Sequence, residues 1–507
     1  MFNIALLFLR CPQSAAGANF QIVQSLRMST WQFGVGIGGC KLLGTSNTKE
    51  KEMNKAPVTK NQELELTITD LSYEGKGVAK IERYPLFIAN ALPGETVVAH
   101  VMKAGKNFGF AKVIKRLNDS PQRATAIEDK YMQTGIAPLE HLKYAAQLEF
   151  KRTQIVELLK KAHLEQLQVA PTVGMTTPTH YRNKAQIPVR MVRGQLETGF
   201  FHQNSHRLIP MENFLIQDPR IDEVVKKVRD IMRKYQVIAY NEDGHSGILR
   251  HLIVRRGHYS HEVMVILVTR TKRMPQSEQI TQAILQECPD VVSVIQNINQ
   301  EKTNVILGSK DRLLAGKAQI TDTLNGISFA ISAHSFYQVN SVQTERLYQE
   351  VAQRAELTGN ETVIDAYCGI GTISLNLAAK AKQVYGVEIV PEAIADARKN
   401  AEMNKIANTT FEVGTASEWM TKWSQAGLKP DVVVFDPPRK GLDNEVIQST
   451  VTLAPRKIVY VSCNPATLVR DLQIFIQQGY EIKQPILPVD QFPQTVHVES
   501  VTVLERA

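Results

Sequence analysis

The chain has 507 residues, of which 43% are hydrophobic and 21% charged: enough apolar content for more than one ordinary core, at a charge density normal for globular proteins. Five cysteines without paired spacing exclude a disulfide scaffold and fit a reducing cytoplasm. The net charge is +9, but residues 1–55 carry six basic groups and two acids, which leaves only +5 for the other 452 residues, so nucleic-acid binding has to rest on local patches.

The opening "MFNIALLFLR" is too short to span a bilayer and has no basic region ahead of it, so neither a membrane anchor nor a secretory signal is expected. Ordered patterning begins near Met53, and residues 1–55 are expected to be a disordered or spurious leader. From 63 to 116, short alternating runs ("ELELTITDL", "GVAKI", "PLFIA", "TVVAHVM", "GFAKVIKRL") are broken by Gly75, Gly77, Pro93-Gly94 and Gly105. Such spacing predicts a small β-barrel. Residues 103–116 hold Lys103, Lys106, Lys112, Lys115 and Arg116 without an acid, with Phe108 and Phe110 among them. Basic groups interleaved with aromatics suit a phosphate backbone and stacked bases. A solvated edge strand with core phenylalanines is the alternative, and alternation alone does not separate the two.

Residues 141–163 predict a helix, with Leu142, Ala145, Ala146, Ile155, Leu158, Leu159 and Ala162 at three- and four-residue spacing. Residues 180–325 mix short strands and helices. There, "HYRNKA" and "LRHLIVRR" carry basic charge expected on a solvated face. The last 170 residues alternate strand-like and helical runs, the rhythm of a mostly parallel, doubly wound sheet.

Within that final part, "VIDAYCGIGTISL" sets Asp365 at a strand end, followed by Gly369 and Gly371 before a helix. The third glycine of a dinucleotide fingerprint is missing. Glu388 follows about 20 residues later at the next strand end, where an acid can hold ribose hydroxyls. Acid, Gly-x-Gly, helix, strand, acid is similar to the S-adenosylmethionine-dependent methyltransferases. "VVVFDPPRKG" ends a further strand at Asp436, and "KIVYVSCNPATL" ends another at Cys463. All lie on the sheet edge where open α/β sheets bind ligands. Cys288 and Cys368 fit ordinary buried cysteines. Cys463 sits instead at a strand-to-helix turn, where helix N–H groups favour a thiolate. A methyltransferase needs such a thiol when the acceptor is an unactivated ring carbon, as at C5 of uracil, and it then needs a base to remove the C5 proton. In the last run, "FPQTVHVESVTVLER", His497 and Glu499 share a strand face, and burial among valines would raise Glu499 towards a useful base.

The motifs "SFYQVN", "DAYCGIGT", "DPPRKG", "SCNPATLVRD" and "PQTVHVES", taken together, resemble the signatures of the RNA uracil-C5 methyltransferase family. "GKGVAKI" and "ALPGETV" resemble the TRAM domain that this family often carries. The resemblance runs from about residue 57 to the end. It implies an α/β chain with an OB-like TRAM barrel (57–118), a helical segment and mixed α+β central RNA-binding domain (119–330), and a Rossmann-like class I methyltransferase domain (331–507). Carried over by position, Cys463 is the nucleophile and Glu499 the base. Gln338, Tyr367, Glu388 and Asp436 contact S-adenosylmethionine, Phe336 and Asn340 shape the pocket, and Arg439 faces either RNA phosphate or the uracil. Many relatives hold an iron–sulfur cluster on four cysteines just after the barrel. Here no cysteine lies between Cys40 and Cys288, so neither a thiolate-held cluster at that place nor any metal site is expected. Cluster-free relatives are typical of Gram-positive bacteria, where the resemblance implies 23S rRNA as substrate, with tRNA second. The expectation is a cytoplasmic monomer acting on RNA. A non-catalytic RNA-binding or folding factor is the alternative, disfavoured by the retention of thiol, base and cofactor acids together.

Overall fold

The computed structural model describes residues 56–125 and 127–507; the leader and the start at Met53 lie outside them. Six strands between Glu63 and Arg116 form the first sheet. The opening strand Glu63–Thr67 pairs with Thr96–Ala104, and after a bend Asp70–Leu71 pairs with Gly77–Ile81 at the other end of the sheet, so the sheet curls into a barrel. Its core is aliphatic, with Leu86, Ile88, Val97, Ala99 and Val101 fully buried. Phe87, Phe108 and Phe110 stay outside that core. Glu95, wholly buried, accepts from Arg123 (2.5 and 2.7 Å) and from the amides of Leu92 and Ser120, which fastens the barrel to the segment after it.

A seven-stranded sheet follows, running in space Lys310–Gly316, Val291–Ile298, Val263–Thr269, Leu249–Arg256, Lys184–Val192, Gln195–Phe201, Leu208–Pro210. Helices Pro219–Lys234 and Ser277–Glu287 cover one face, where Val224, Val228, Ile280 and Ile284 meet Val254 and Leu267. The other face carries Ile253, Met264, Ile266 and Val268 into a core shared with Val363, Val384 and Val434 of the final sheet. The basic runs depart from the expected solvated face. Arg250 and Arg255 are buried because backbone carbonyls take up their N–H groups: those of Asn299, Glu301 and Thr303 for Arg250, and those of Ala333 and Ser335 for Arg255.

The C-terminal sheet runs Thr409–Val413, Gln383–Glu388, Thr362–Asp365, Val432–Phe435, Lys457–Ser462, Glu499–Arg506, Tyr480–Glu481, all in one direction except Glu499–Arg506, which is antiparallel to both of its neighbours. Strand Val432–Phe435 is buried on both faces, as parallel strands under helices must be. Helix Tyr144–Lys161, which the sequence groups with the central region, packs through Ile155 and Leu159 into the core beneath Phe435 and Phe475. No helix among the described residues is long and apolar enough to cross a membrane.

Candidate active site at the carboxyl edge of the C-terminal sheet

Four parallel strands deliver Asp365, Glu388, Asp436 and Cys463 to one edge, because each of these residues ends or directly follows its strand. The antiparallel strand Glu499–Arg506 starts at that same edge. Ser462 pairs with Ser500, so the next residues outward, Cys463 and Glu499, sit side by side on neighbouring strands. The strand begins only at Glu499. His497 therefore does not lie on a strand as expected; it ends a loop without regular secondary structure.

Glu499 is 6% exposed on a strand paired on both sides, not on a free edge. Burial, with the Asp436 carboxylate adding to it, pushes its carboxyl up to about 8, against the pull of Arg439. Asp436 rises to about 7 through burial and the nearby Asp365. Cys463 departs from the thiolate-favouring expectation. Burial, then the Glu499 and Asp436 carboxylates, push the thiol up, while Arg439 and its own backbone hydrogen bond act the other way. Loss of solvation here exceeds the help of the helix start. Cys288 and Cys368 are buried and Cys463 is half-buried.

The Pro437-Pro438 loop is fixed to helix Pro465–Gln477. Asn464 Nδ2 (2.9 Å) and Thr467 Oγ1 (3.3 Å) both donate to the Arg439 carbonyl. Buried Asp471 accepts from the Leu442 amide and the Tyr460 hydroxyl. The exposed Arg439 guanidinium lies 3.0 and 3.2 Å from the two ring nitrogens of His497. Near-equal distances place it against the ring face rather than on one lone pair. Burial, Arg439, Lys151 and Arg182 hold His497 down to about 4, so the ring is neutral and accepts this contact.

On the other side, Gly369 and Gly371 take positive φ (53° and 85°) in the turn before helix Thr372–Ala378, which glycine adopts at low cost. Asp365 is fully buried. Its Oδ2 accepts from Ser374 Oγ at 2.6 Å, while its Oδ1 has no partner. Burial pushes it up to about 6. Burial also raises Glu388, against the pull of the Val390, Ile389 and Gly369 amides. Tyr367 is half-buried near Phe435. Gln338 lies in the loop before helix Ser341–Ala355, its carbonyl accepting from Asn183 Nδ2 at 3.0 Å. Phe336 is 68% exposed beside it, and Asn340 is buried as the cap of that helix.

Residues 143–507 match the family described as tRNA (uracil-5-)-methyltransferase, and residues 57–114 match the TRAM domain. The chain belongs to the uracil-5-methyltransferase family. An uncharacterized RNA methyltransferase of Lactiplantibacillus plantarum is 58% identical, over 89% of this chain and 98% of its own length. One from Enterococcus faecalis is 54% identical, over 90% of this chain and all of its own. Among solved structures, the Pyrococcus abyssi tRNA (uracil-54, C5)-methyltransferase, in complex with S-adenosyl-L-homocysteine, superposes with a TM-score of 0.71 at 27% identity, covering 87% of this chain and 99% of that one. The protein is thus an S-adenosylmethionine-dependent enzyme that methylates uracil C5 in RNA.

The edge of this uracil-5-methyltransferase fits that cofactor on its own terms. Asp365 Oδ1 is a buried acceptor without a donor, and a Cβ at Gly369 would meet no atom within 4 Å. Glu388 ends the neighbouring strand at the same edge, where an acid can accept from vicinal hydroxyls. Sequence reasoning missed Tyr348, buried under the site beside Asp436 and Asp365 with its hydroxyl 3.0 Å from Thr372 Oγ1. It also missed Asn183, Gln147 and Lys151. The signal for the last two was available: Gln147, Lys151, Ile155 and Leu159 recur every four residues, so both polar residues share the buried helix stripe.

Proposed function

We propose that this uracil-5-methyltransferase acts on 23S rRNA in the cytoplasm as a monomer, with Cys463 as nucleophile and Glu499 as base. The observation that carries the roles is the register of Ser462 with Ser500, which sets thiol and carboxylate side by side, Glu499 buried and raised to about 8. The Cys463 thiolate adds to C6 of the uracil. The C5–C6 π electrons move towards O4 as an enolate, while Arg439, the cation that acts on the Cys463 thiol, faces either RNA phosphate or the uracil. C5 gains nucleophilic character and takes the methyl group. S-adenosylmethionine supplies that group as an electrophilic methyl sulfonium. Glu499 then removes the C5 proton, the C5–C6 double bond re-forms, and the C6–S bond breaks to release the thiolate. A carboxyl raised to about 8 is a stronger base than an ordinary one, which suits taking a proton from carbon. Asp365, Tyr367, Glu388, Asp436 and Gln338 would hold the cofactor along the same edge. The base would enter flipped out or from a loop.

RNA contact would begin at the barrel. Phe87, Phe108 and Phe110 form a surface cluster with ring centroids 5.6–5.9 Å apart, and Lys76 Nζ lies 5.1 Å over the Phe110 ring. Phe108 is 45% exposed. An exposed Phe108 flanked by two half-buried rings, with a lysine over one of them, makes a stacking platform, which supports the interleaved pattern as an RNA face over the core-phenylalanine alternative. The rRNA assignment rests on this barrel combined with a cysteine-free segment at 129–148, which the family resemblance associates with ribosomal RNA. The Pyrococcus abyssi relative, which by its description acts on tRNA, favours tRNA as the second reading. The test offers the enzyme and cofactor unmodified 23S rRNA and tRNA in parallel, then maps 5-methyluridine by nuclease digestion and mass spectrometry. One methyl on an rRNA uridine, lost in Cys463→Ala, is the expected result. Methylation of tRNA alone would overturn the substrate assignment, and binding without methylation of either RNA would favour a folding factor.

A further inference from the structure

The residues leading to Glu499 have no regular secondary structure, yet their backbone is held at nearly every step. The carbonyl of Asp490 accepts from Gln343 Nε2 (3.1 Å), Gln491 from Asn340 Nδ2 (2.9 Å), and Phe492 from Lys151 Nζ (3.0 Å). That of Pro493 accepts from the Tyr181 hydroxyl (3.0 Å), Gln494 from the Leu139 amide (3.0 Å), and Val496 from Gln154 Nε2 (3.2 Å). Helix Tyr144–Lys161 holds the loop's side chains as well. The Tyr144 hydroxyl donates to Asp490 Oδ2 at 2.8 Å, and Lys151 pairs with Asp490 Oδ1. Gln147 and Gln494 exchange bonds: Gln147 Nε2 donates to Gln494 Oε1 (2.9 Å), and the Gln494 amide donates to Gln147 Oε1 (3.0 Å).

Positions 144, 147, 151 and 154 follow three- and four-residue spacing, so one helix stripe reaches the loop at Asp490, Phe492, Gln494 and Val496, while Asn340 and Tyr181 hold Gln491 and Pro493 between them. Lys151 and Asp490 are both completely enclosed. A buried ion pair of this kind is a weak source of net stability, because desolvating both charges offsets their attraction. What it does supply is position. Three residues past the last of these bonds is the carboxylate that must meet a carbon-bound proton.

We propose that helix Tyr144–Lys161 supports the general base, with Lys151 and Gln154 as positioning residues that set where Glu499 meets the C5 proton. This rests on the reading of Glu499 as base. Among the described residues the helix makes no hydrogen bond to the thiol or the cofactor acids, so loss of its grip on the loop should slow the step after methyl transfer and leave adduct formation intact.

The test measures kcat, the KM values for RNA and cofactor, and the steady-state fraction of covalent protein–RNA adduct on denaturing gels. Variants are Gln154→Leu, Lys151→Met and the reference Glu499→Gln, each with its melting temperature. Gln154 is only half-buried and makes a single bond to the loop, so Gln154→Leu is expected to fold and decides the matter if Lys151→Met does not. The expected result is a kcat lowered about 10- to 100-fold, the range for a misplaced catalytic group. Both KM values should hold and the adduct should rise as in Glu499→Gln. A lowered kcat without adduct, or a normal kcat, in Gln154→Leu would overturn the positioning role while Glu499→Gln still traps adduct. Failure of Glu499→Gln itself to trap adduct would remove the base reading, and this proposal with it.

Discussion

Cys463 sits where ionisation is resisted by burial and by two carboxylates, with Arg439 as the nearby cation that favours it. Arg439→Met should therefore raise the thiol further and slow its alkylation by iodoacetamide at a given pH; an unchanged alkylation rate would show that Arg439 does not act on the thiol. At Glu499 the sign runs plainly. The base form is the carboxylate, and a carboxyl held at about 8 is mostly protonated at neutral pH. Adduct resolution should thus climb as pH rises through about 8 and then level off, followed by single-turnover kinetics between pH 6 and 9. A flat profile would remove Glu499 as base. Glu499→Gln should trap methylated adduct, whereas Cys463→Ala should form none, and mass spectrometry of the protein–RNA species separates the two. The placement of these two residues at one sheet edge was legible in sequence because each follows or opens an apolar run. The elevated thiol was not, because the facing carboxylates come from strands far away in the chain.

At the scale of elements, the glycine turn and the two acids beside it should govern cofactor affinity. Glu388→Ala removes an acceptor at a strand end without touching the sheet core, and the KM for S-adenosylmethionine should rise about 10-fold, the equivalent of one hydrogen bond to a charged group. Cofactor titration by fluorescence would check it. On the barrel, Phe108→Ala should weaken RNA binding by about 1–3 kcal/mol per lost stacking contact, with little effect on the melting temperature since the ring is outside the core. A filter-binding assay at fixed salt reads this directly. Strand and helix order along residues 331–507 was readable from period and turn residues. The loop before Glu499 was misread as strand because Val496 and Val498 continue the alternation, while the bonds that hold Phe492–Val496 come from helix Tyr144–Lys161, Tyr181 and Leu139, which no local pattern reveals. The buried arginines were missed likewise, since their partners are backbone carbonyls of distant segments.

At the scale of the molecule, the central and C-terminal sheets share one apolar core, whereas the barrel keeps its own. Its link to the segment that follows runs through Glu95 and Arg123. Arg123→Met would leave Glu95 buried with Arg116 at 3.5 Å as its remaining cation. The loss should be ~3 kcal/mol, the low end for a broken buried pair. Urea denaturation would measure it, and a loss below 1 kcal/mol would show that the barrel holds by packing alone.

The neighbouring strands that carry Cys463 and Glu499 have one further consequence. Hydrogen-bonded strands stand about 4.8 Å apart whatever the rest of the protein does. In the proposed reading the ladder therefore fixes how far apart the backbones of nucleophile and base stand, and helix Tyr144–Lys161 sets how the carboxylate meets the proton. An RNA that pulls on the barrel, whose core is separate, would therefore leave the spacing between attack and proton removal unchanged.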